Sequence, residues 1–406
     1  MIKKILLLSV CFLGLHLTVY PQWVIIDSTA TNELTSVFFP TRDTGYAVGY
    51  FQYIIKTTNG GNTWITQSNP NGTTLSSVYF TDANTGFAVG DGGLVLKTTN
   101  GGNNWDTVFY STFNFDNFMS VFFPSKNIGY ILEAGNNKNY KTVDGGNTWI
   151  AQPYTWANGG TIGSIFFTDT VTGYAAVLGG IFKTTDGGNT WAKKDSSTAG
   201  YNSIFFSTKD TGYAVTGGGH ILKTVDAGNN WTTYLTGLTG NSGLHSVYFT
   251  SSNTGYAVGG DFMTGGNGVI FKTTDGGLNW TPQTISSFGG PMLSSVFFTG
   301  KDTGYAVGGG AIFKTTTGGV TSLVTFKNLN DKFKVYPNPA SKQFTIETNS
   351  TDKLTMDLYS ANGRHIFTKN VSNYLTIDVD NLDEGFYTLA IKTETEVINK
   401  KLVILR

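Results

Sequence analysis

The stretch LTSVFF, Leu34–Phe39, decides the fold, because it returns six more times. LSSVYF begins at Leu75, FMSVFF at Phe118, IGSIFF at Ile162, YNSIFF at Tyr201, LHSVYF at Leu244 and LSSVFF at Leu293. Successive starts lie 41, 43, 44, 39, 43 and 49 residues apart. Each copy is followed at a fixed distance by GYAVG or a relative of it, beginning at Gly45, Gly86, Gly129, Gly173, Gly212, Gly255 and Gly304. A third run ends in KTT or KTV, a turn such as DGGNTW follows, and a fourth segment starts at the Trp. Alternating apolar residues bounded by Gly- and Asp-rich turns read as short antiparallel strands.

Four short strands per unit of this length predict a β-propeller of seven blades. A β-helix would have shorter units, and Ig domains units about twice as long. The seventh copy lacks its own last strand. After Lys314 the chain reads TTTGGVTS, with Thr317 where Asp belongs and Ser322 where Trp belongs. The missing piece stands at the other end of the chain. Trp23 opens WVIIDST as far before Leu34 as Trp64 lies before Leu75. The sequence therefore predicts that the N-terminal strand closes the ring and covers both free edges.

Composition agrees with an all-β chain. Gly numbers 52, Phe 29 and Tyr 20 in 406 residues, and charged residues make up 13%. Lys plus Arg equals Asp plus Glu at 27 each, which gives no support to a polyanionic partner such as nucleic acid. Lys3 and Lys4 followed by the apolar run Ile5–Val19 read as a signal peptide, cut before Trp23. An uncleaved anchor is the alternative. The only cysteine, Cys11, lies in that segment behind Val10, where a lipoprotein signal would want a small residue. The mature chain is thus read as free of cysteine and of transmembrane segments, and as a monomer. The divisions are 1–22 signal peptide, 23–321 propeller, 322–332 linker and 333–406 a small antiparallel β-sandwich.

The turn before each fourth strand resembles the Asp-box, S/T-x-D-x-G-x-T-W, of sialidase-like and sortilin-like propellers. Asp144 with Trp149 and Asp186 with Trp191 match it fully. Asp226 with Trp231 and Asp275 with Trp280 have Asn before the Trp, while Asn59 with Trp64 and Asn100 with Trp105 replace the Asp. A short polar side chain that accepts backbone N–H bonds across a tight turn makes the box a structural device rather than a catalytic one.

Two connections never change length: the first hairpin and the box turn, which lie on one face of a propeller. All length variation falls in the other two connections, on the opposite face. The longest, GGDFMTGGNG, runs through Gly259–Gly268. Loops on a rigid scaffold are where binding residues are usually placed. The variable face is therefore the candidate ligand face, with Asp116, Tyr154, Trp156, Asp195, Asp261 and Phe262 as its candidate contacts. Phe109, Tyr110, Phe113, Phe115, Phe118, Phe288 and Asp106 are read as belonging to the same loops. Aromatic rings with a few carboxylates suit a glycan or protein ligand.

No catalytic, cofactor or metal residues are assigned. Sialidase chemistry needs three arginines on a substrate carboxylate, and the propeller has only Arg42, on the constant face. Hydrolase or lyase chemistry from a loop carboxylate pair is the alternative to binding. His16, His220, His245 and His365 have no ligand spacing, and no calcium loop is present.

As a whole, the pattern LxSVxF–GYAVG–KTTDGGxTW resembles the Ycf48-like family of photosystem assembly factors over about residues 23–321. That resemblance implies a seven-bladed fold and an assembly or binding platform. The photosynthetic members' arginine patch is missing here. The last 75 residues resemble the type A C-terminal sorting domain of the type IX secretion system. The matching pieces are Tyr336-Pro337-Asn338-Pro339, the Asn-Gly-Arg turn at Gly363, Leu-x-x-Gly-x-Tyr with Gly385 and Tyr387, and a final strand with Lys400 and Lys401. This implies the secretion machinery as a partner, export to the cell surface or medium, and removal of the domain. A generic adhesive Ig-like module is the alternative.

Overall fold

The structure is a computed structural model that describes residues 22–405 apart from 29–31, 52, 69–71, 112–115, 135–137, 154–162, 196–199, 239, 262, 287–289, 320–332, 349–353, 361–363 and 393–396. The expected signal peptide up to residue 21, the linker, and Tyr154, Trp156, Phe262 and Gly363 lie outside the described residues, as do Phe113, Phe115 and Phe288. The chain divides into two compact units, residues 1–321 and 322–406.

The first unit is an all-β propeller. Six blades are four-stranded antiparallel sheets in simple sequence order, the first built from Leu34–Phe38, Gly45–Gly49, Ile54–Thr57 and Ile65–Thr66. The seventh holds three consecutive strands, Ser295–Phe298, Gly304–Gly308 and Ala311–Thr315, and its fourth is Val24–Asp27 from the far end of the chain. Trp23 takes the place of the absent blade-seven Trp. It is fully buried and meets Phe298 edge-on at 5.7 Å, as Trp280 meets Phe249 at 5.9 Å and Trp149 meets Phe123 at 5.7 Å. Gln22 assists, its side-chain amide donating to the Gly319 carbonyl at 2.9 Å.

Three contacts repeated around the ring explain why the motif is so constant. The Ser of LxSVxF accepts the inner-edge N–H of the next blade: Val78 to Ser36, Val121 to Ser77, Val247 to Ser203, Val296 to Ser246, and Val37 back to Ser295 of blade seven. The inner edges, which would otherwise expose donors, are stitched in this way. The ring beyond it, the x of VxF, packs in a closed circle. Phe38, Tyr79, Phe122, Phe166, Phe205, Tyr248 and Phe297 meet their neighbours at centroid distances of 4.9–5.3 Å. At the outer side of five blades, the Tyr of GYAVG and the Lys of KTT both donate to one carbonyl in the next blade's box turn. Tyr46 and Lys56 share Gly101 O, each at 2.6 Å, and Tyr305 and Lys314 share Gly60 O at 2.7 and 2.6 Å.

The second unit has a three-stranded sheet (Phe333–Tyr336, Gln343–Thr348, Tyr374–Asp378) and a four-stranded sheet (His365–Val371, Leu354–Ser360, Gly385–Lys392, Val397–Ile404). Phe344, Ile346, Met356, Leu358, Leu389 and Leu402 from both sheets share one buried cluster. The sorting motif ties its two ends together. Asn338 Nδ2 donates to Lys401 O at 2.7 Å, and its Oδ1 accepts Val403 N–H at 2.9 Å. Pro337 and Pro339 flank this clamp in cis peptide bonds. Lys400 Nζ reaches Phe333 O at 2.5 Å, Tyr387 Oη donates to Asp383 O, and Lys401 Nζ lies 3.8 Å above the Phe386 ring. Gly385 takes a φ of 150°, a value that favours glycine.

Candidate functional site

The two faces of the propeller are built differently. On the constant face the box carboxylates are used up locally. Asp186 Oδ1 accepts Thr190 N–H at 2.9 Å and the Thr184 hydroxyl at 2.8 Å, while its Oδ2 accepts the Thr190 hydroxyl. The Thr190 hydroxyl is the largest cause of holding this carboxyl at about 2. Asp226 and Asp275 are held at about 2 mainly by the backbone N–H of Asn230 and Asn279, and Asp144 lower still, mainly by the Thr148 hydroxyl. Asn59 makes the same turn without charge, its Oδ1 accepting Thr63 N–H at 3.0 Å. Asn100 accepts Asn104 N–H in the same way. The box tryptophans stand on the neighbouring Phe rings, Trp64 on Phe39, Trp105 on Phe80, Trp191 on Phe167 and Trp231 on Phe206.

On the variable face the structure corrects part of the sequence reading. Asp116 is fully buried and accepts hydrogen bonds from Ser111 and from Tyr140 Oη at 2.8 Å. A carboxylate so placed braces the connection into blade three and does not meet a ligand. The same burial pushes the Tyr140 phenol up to about 12. Asp195 accepts the Tyr201 hydroxyl, and Asp261 caps its own turn through Met263 N–H at 2.9 Å and Thr264 N–H at 3.3 Å. Phe118 is buried and packs with Phe109 against Tyr140. Asp106 pairs with Lys97 at the box end of its strand, away from the variable loops. Asp116 and Phe118 are set apart by burial, whereas Asp195 and Asp261 are half-buried and engaged by the Tyr201 hydroxyl and by their own turn, and neither property was visible in loop membership.

Other side chains do project there. Tyr50 is 40% and Phe51 72% exposed in the turn of blade one, Tyr110 is 55% exposed at the end of blade two, and Met263 is 69% exposed in the long hairpin of blade six. The sequence held a signal for the first two. Blades two, four, five and seven have glycine in the corresponding turn, Gly92-Gly93, Gly179-Gly180, Gly217–Gly219 and Gly309-Gly310, where blade one has Tyr50-Phe51. Two carboxylates lie near. Glu33, half-buried and raised by that burial, bonds to Ser294, and Asp91 stands in the turn of blade two. Among the described residues no three His, Cys, Asp or Glu side chains converge as metal ligands would, and no helix is long and apolar enough to cross a membrane.

Comparison with known proteins gives a match in each unit. Residues 16–114 match the family model of the photosynthesis system II assembly factor YCF48, and residues 334–405 match that of the secretion system C-terminal sorting domain. The first unit is thus similar to YCF48 over its N-terminal part, and the second to secretion sorting domains. A YCF48 structure bound to D1 peptide is 19% identical, with a TM-score of 0.61 over 73% of this chain and 97% of that one. YCF48 from Cyanidioschyzon merolae is 20% identical, with a TM-score of 0.60 over 72% and 98%. The GH74 enzyme of Niastella koreensis is 14% identical, with a TM-score of 0.58 over 95% and 75%. At these identities the structures share the fold alone. No curated protein matches the chain significantly. The match to the sorting domain indicates export by type IX machinery and a secreted or cell-surface location.

Proposed function

We propose that the exported propeller is a monomeric binding or adhesion protein that takes a protein or glycan ligand on its variable face. The observation that carries this is the contrast between faces. The box face repeats one closed hydrogen-bonded turn. The variable face holds all the length variation and sets Tyr50, Phe51, Tyr110 and Met263 in solvent. Exposed aromatic side chains are over-represented where proteins meet partners. A solved YCF48 propeller with a bound D1 peptide supports a polypeptide as one ligand class. Export would run through the periplasm, the N-terminal segment acting as leader and the last domain as the signal for the outer membrane step.

Hydrolysis or lysis of a polysaccharide is the weaker reading. A paired-carboxylate mechanism needs two acids flanking the scissile bond. Asp116 is buried, Asp195 accepts the Tyr201 hydroxyl at the start of the next blade, and Asp261 caps its own turn. The test is an array of peptides, glycans and polysaccharides probed with the secreted protein and scored for binding and for cleavage. Retention without cleavage is expected, and release of shortened products would overturn the binding reading.

A further inference from the structure

We propose that Tyr50, Phe51 and Tyr110, with Glu33 and Asp91, form a docking site for cationic side chains of a protein partner; this rests on the variable-face reading. The argument begins with Phe51. Its φ is 52°, a backbone region that a bulky aromatic residue rarely adopts. Blade two meets the same need with Gly92 and Gly93, at φ of 71° and 69°. Strain of this kind persists where something offsets it. Burial does not, because the ring is 72% exposed. Tyr50 stands edge-on to it at 6.4 Å. A bound partner that covers both rings would supply the missing reason.

The neighbours give that partner its chemistry. The Glu33 carbonyl holds Tyr50 N–H at 2.9 Å, which sets the carboxylate-bearing residue under the turn. Burial and then the charges of Glu33 and Asp91 raise the Tyr50 phenol, so both carboxylates act on this ring. Tyr110 borders the other side of the Asp91 turn, its hydroxyl 2.8 Å from where a Cβ on Gly92 would lie. Among the described residues neither Glu33 nor Asp91 is paired with a cation. Aromatic faces attract ammonium and guanidinium groups, and unpaired carboxylates beside them add charge complementarity. Phosphorylated or sulfated partners would be repelled.

The test uses the full secreted protein titrated with a Lys/Arg-rich decapeptide, its Glu-rich counterpart, and neutral cellohexaose. The basic peptide is expected to bind in preference, and Phe51→Gly or Asp91→Asn to weaken it about tenfold. Phe51→Gly also separates binding from folding, since it relieves the turn and leaves the melting temperature unchanged or higher. Failure of the basic peptide to bind, equal binding of the acidic peptide, or preference for cellohexaose overturns the proposal. Basic-peptide binding that survives both changes but is lost in Met263→Ala overturns it while keeping the variable face. Loss only in Leu278→Ala, on the box turn, overturns both.

Discussion

Lys314 Nζ donates to the carbonyl oxygen of Gly60 at 2.6 Å and thereby joins the last blade to the first. Tyr305 supplies a second donor to the same oxygen at 2.7 Å. Blade two lacks that second donor. Phe87 stands where the others have Tyr, so Lys97 alone reaches Gly145 O, at 2.8 Å. Lys97→Met should therefore cost more stability than Lys314→Met. A donor lost from a carbonyl that keeps another costs about 1 kcal/mol, and one that leaves the acceptor unpaired about 1–3 kcal/mol. Denaturant melts of the two variants give the comparison, and equal losses would argue against the shared-acceptor account.

Trp23 gives the second prediction. Trp23→Ala removes a fully buried ring packed on Tyr256 and Phe298 and should cost about 3–5 kcal/mol. Deleting residues 23–30 should lower the melting temperature sharply, because blade seven then ends on an open edge. An unchanged melt would mean that the strand is dispensable.

Acid should act through the box turns. The carboxyls of Asp186 and Asp275 are depressed to about 2 from an ordinary value of 3.8, first by the Thr190 hydroxyl and by Asn279 N–H respectively. A depressed carboxyl contributes stability above its unfolded value, and this is lost as pH falls through the folded one. Melting temperature should therefore drop between about pH 4 and pH 2, and Asp186→Asn with Asp275→Asn should flatten the drop. Asn59 and Asn100 already show that the turn closes without the charge. A pH profile unaltered by the double change would remove these groups as its source.

Asp116 separates stability from binding. Asp116→Ala leaves the Tyr140 hydroxyl without this acceptor and should cost about 2–4 kcal/mol. Ligand affinity, measured below the lowered melting temperature, should be unchanged. A selective loss of affinity would return Asp116 to the ligand face.

The blades were legible because each copy repeats an alternating pattern, and the displaced strand was legible because Ser322 stands where a Trp belongs. The reason for the motif was not. The Ser of LxSVxF, the Tyr of GYAVG and the Lys of KTT act between blades, and a contact between units has no spacing within one. Tyr130 and Lys141, for example, meet Gly187 O in the next blade. Loop lengths mark one face as variable, but which of its side chains stand in solvent could not be read from them. Asp116 and Asp195 occupy variable loops, yet local phenols take their carboxylates. Phe51 would have emerged from comparing turns for residues that do not suit their backbone, rather than from collecting aromatic residues in loops.

Removal of residues 333–406 should leave the propeller folded and hold it in the periplasm, since the sorting domain has its own core and the ring is completed by Trp23–Asp27. Cell fractionation of the truncated protein decides this, and normal secretion would contradict it.

The most direct test of the central claim is hydrogen exchange of the secreted protein with and without its strongest ligand from the array. The account predicts new protection at residues 50–53, 91–94, 110–111 and 260–268, with the box turns unchanged. Protection confined to box turns such as 59–64 and 186–191 would contradict it.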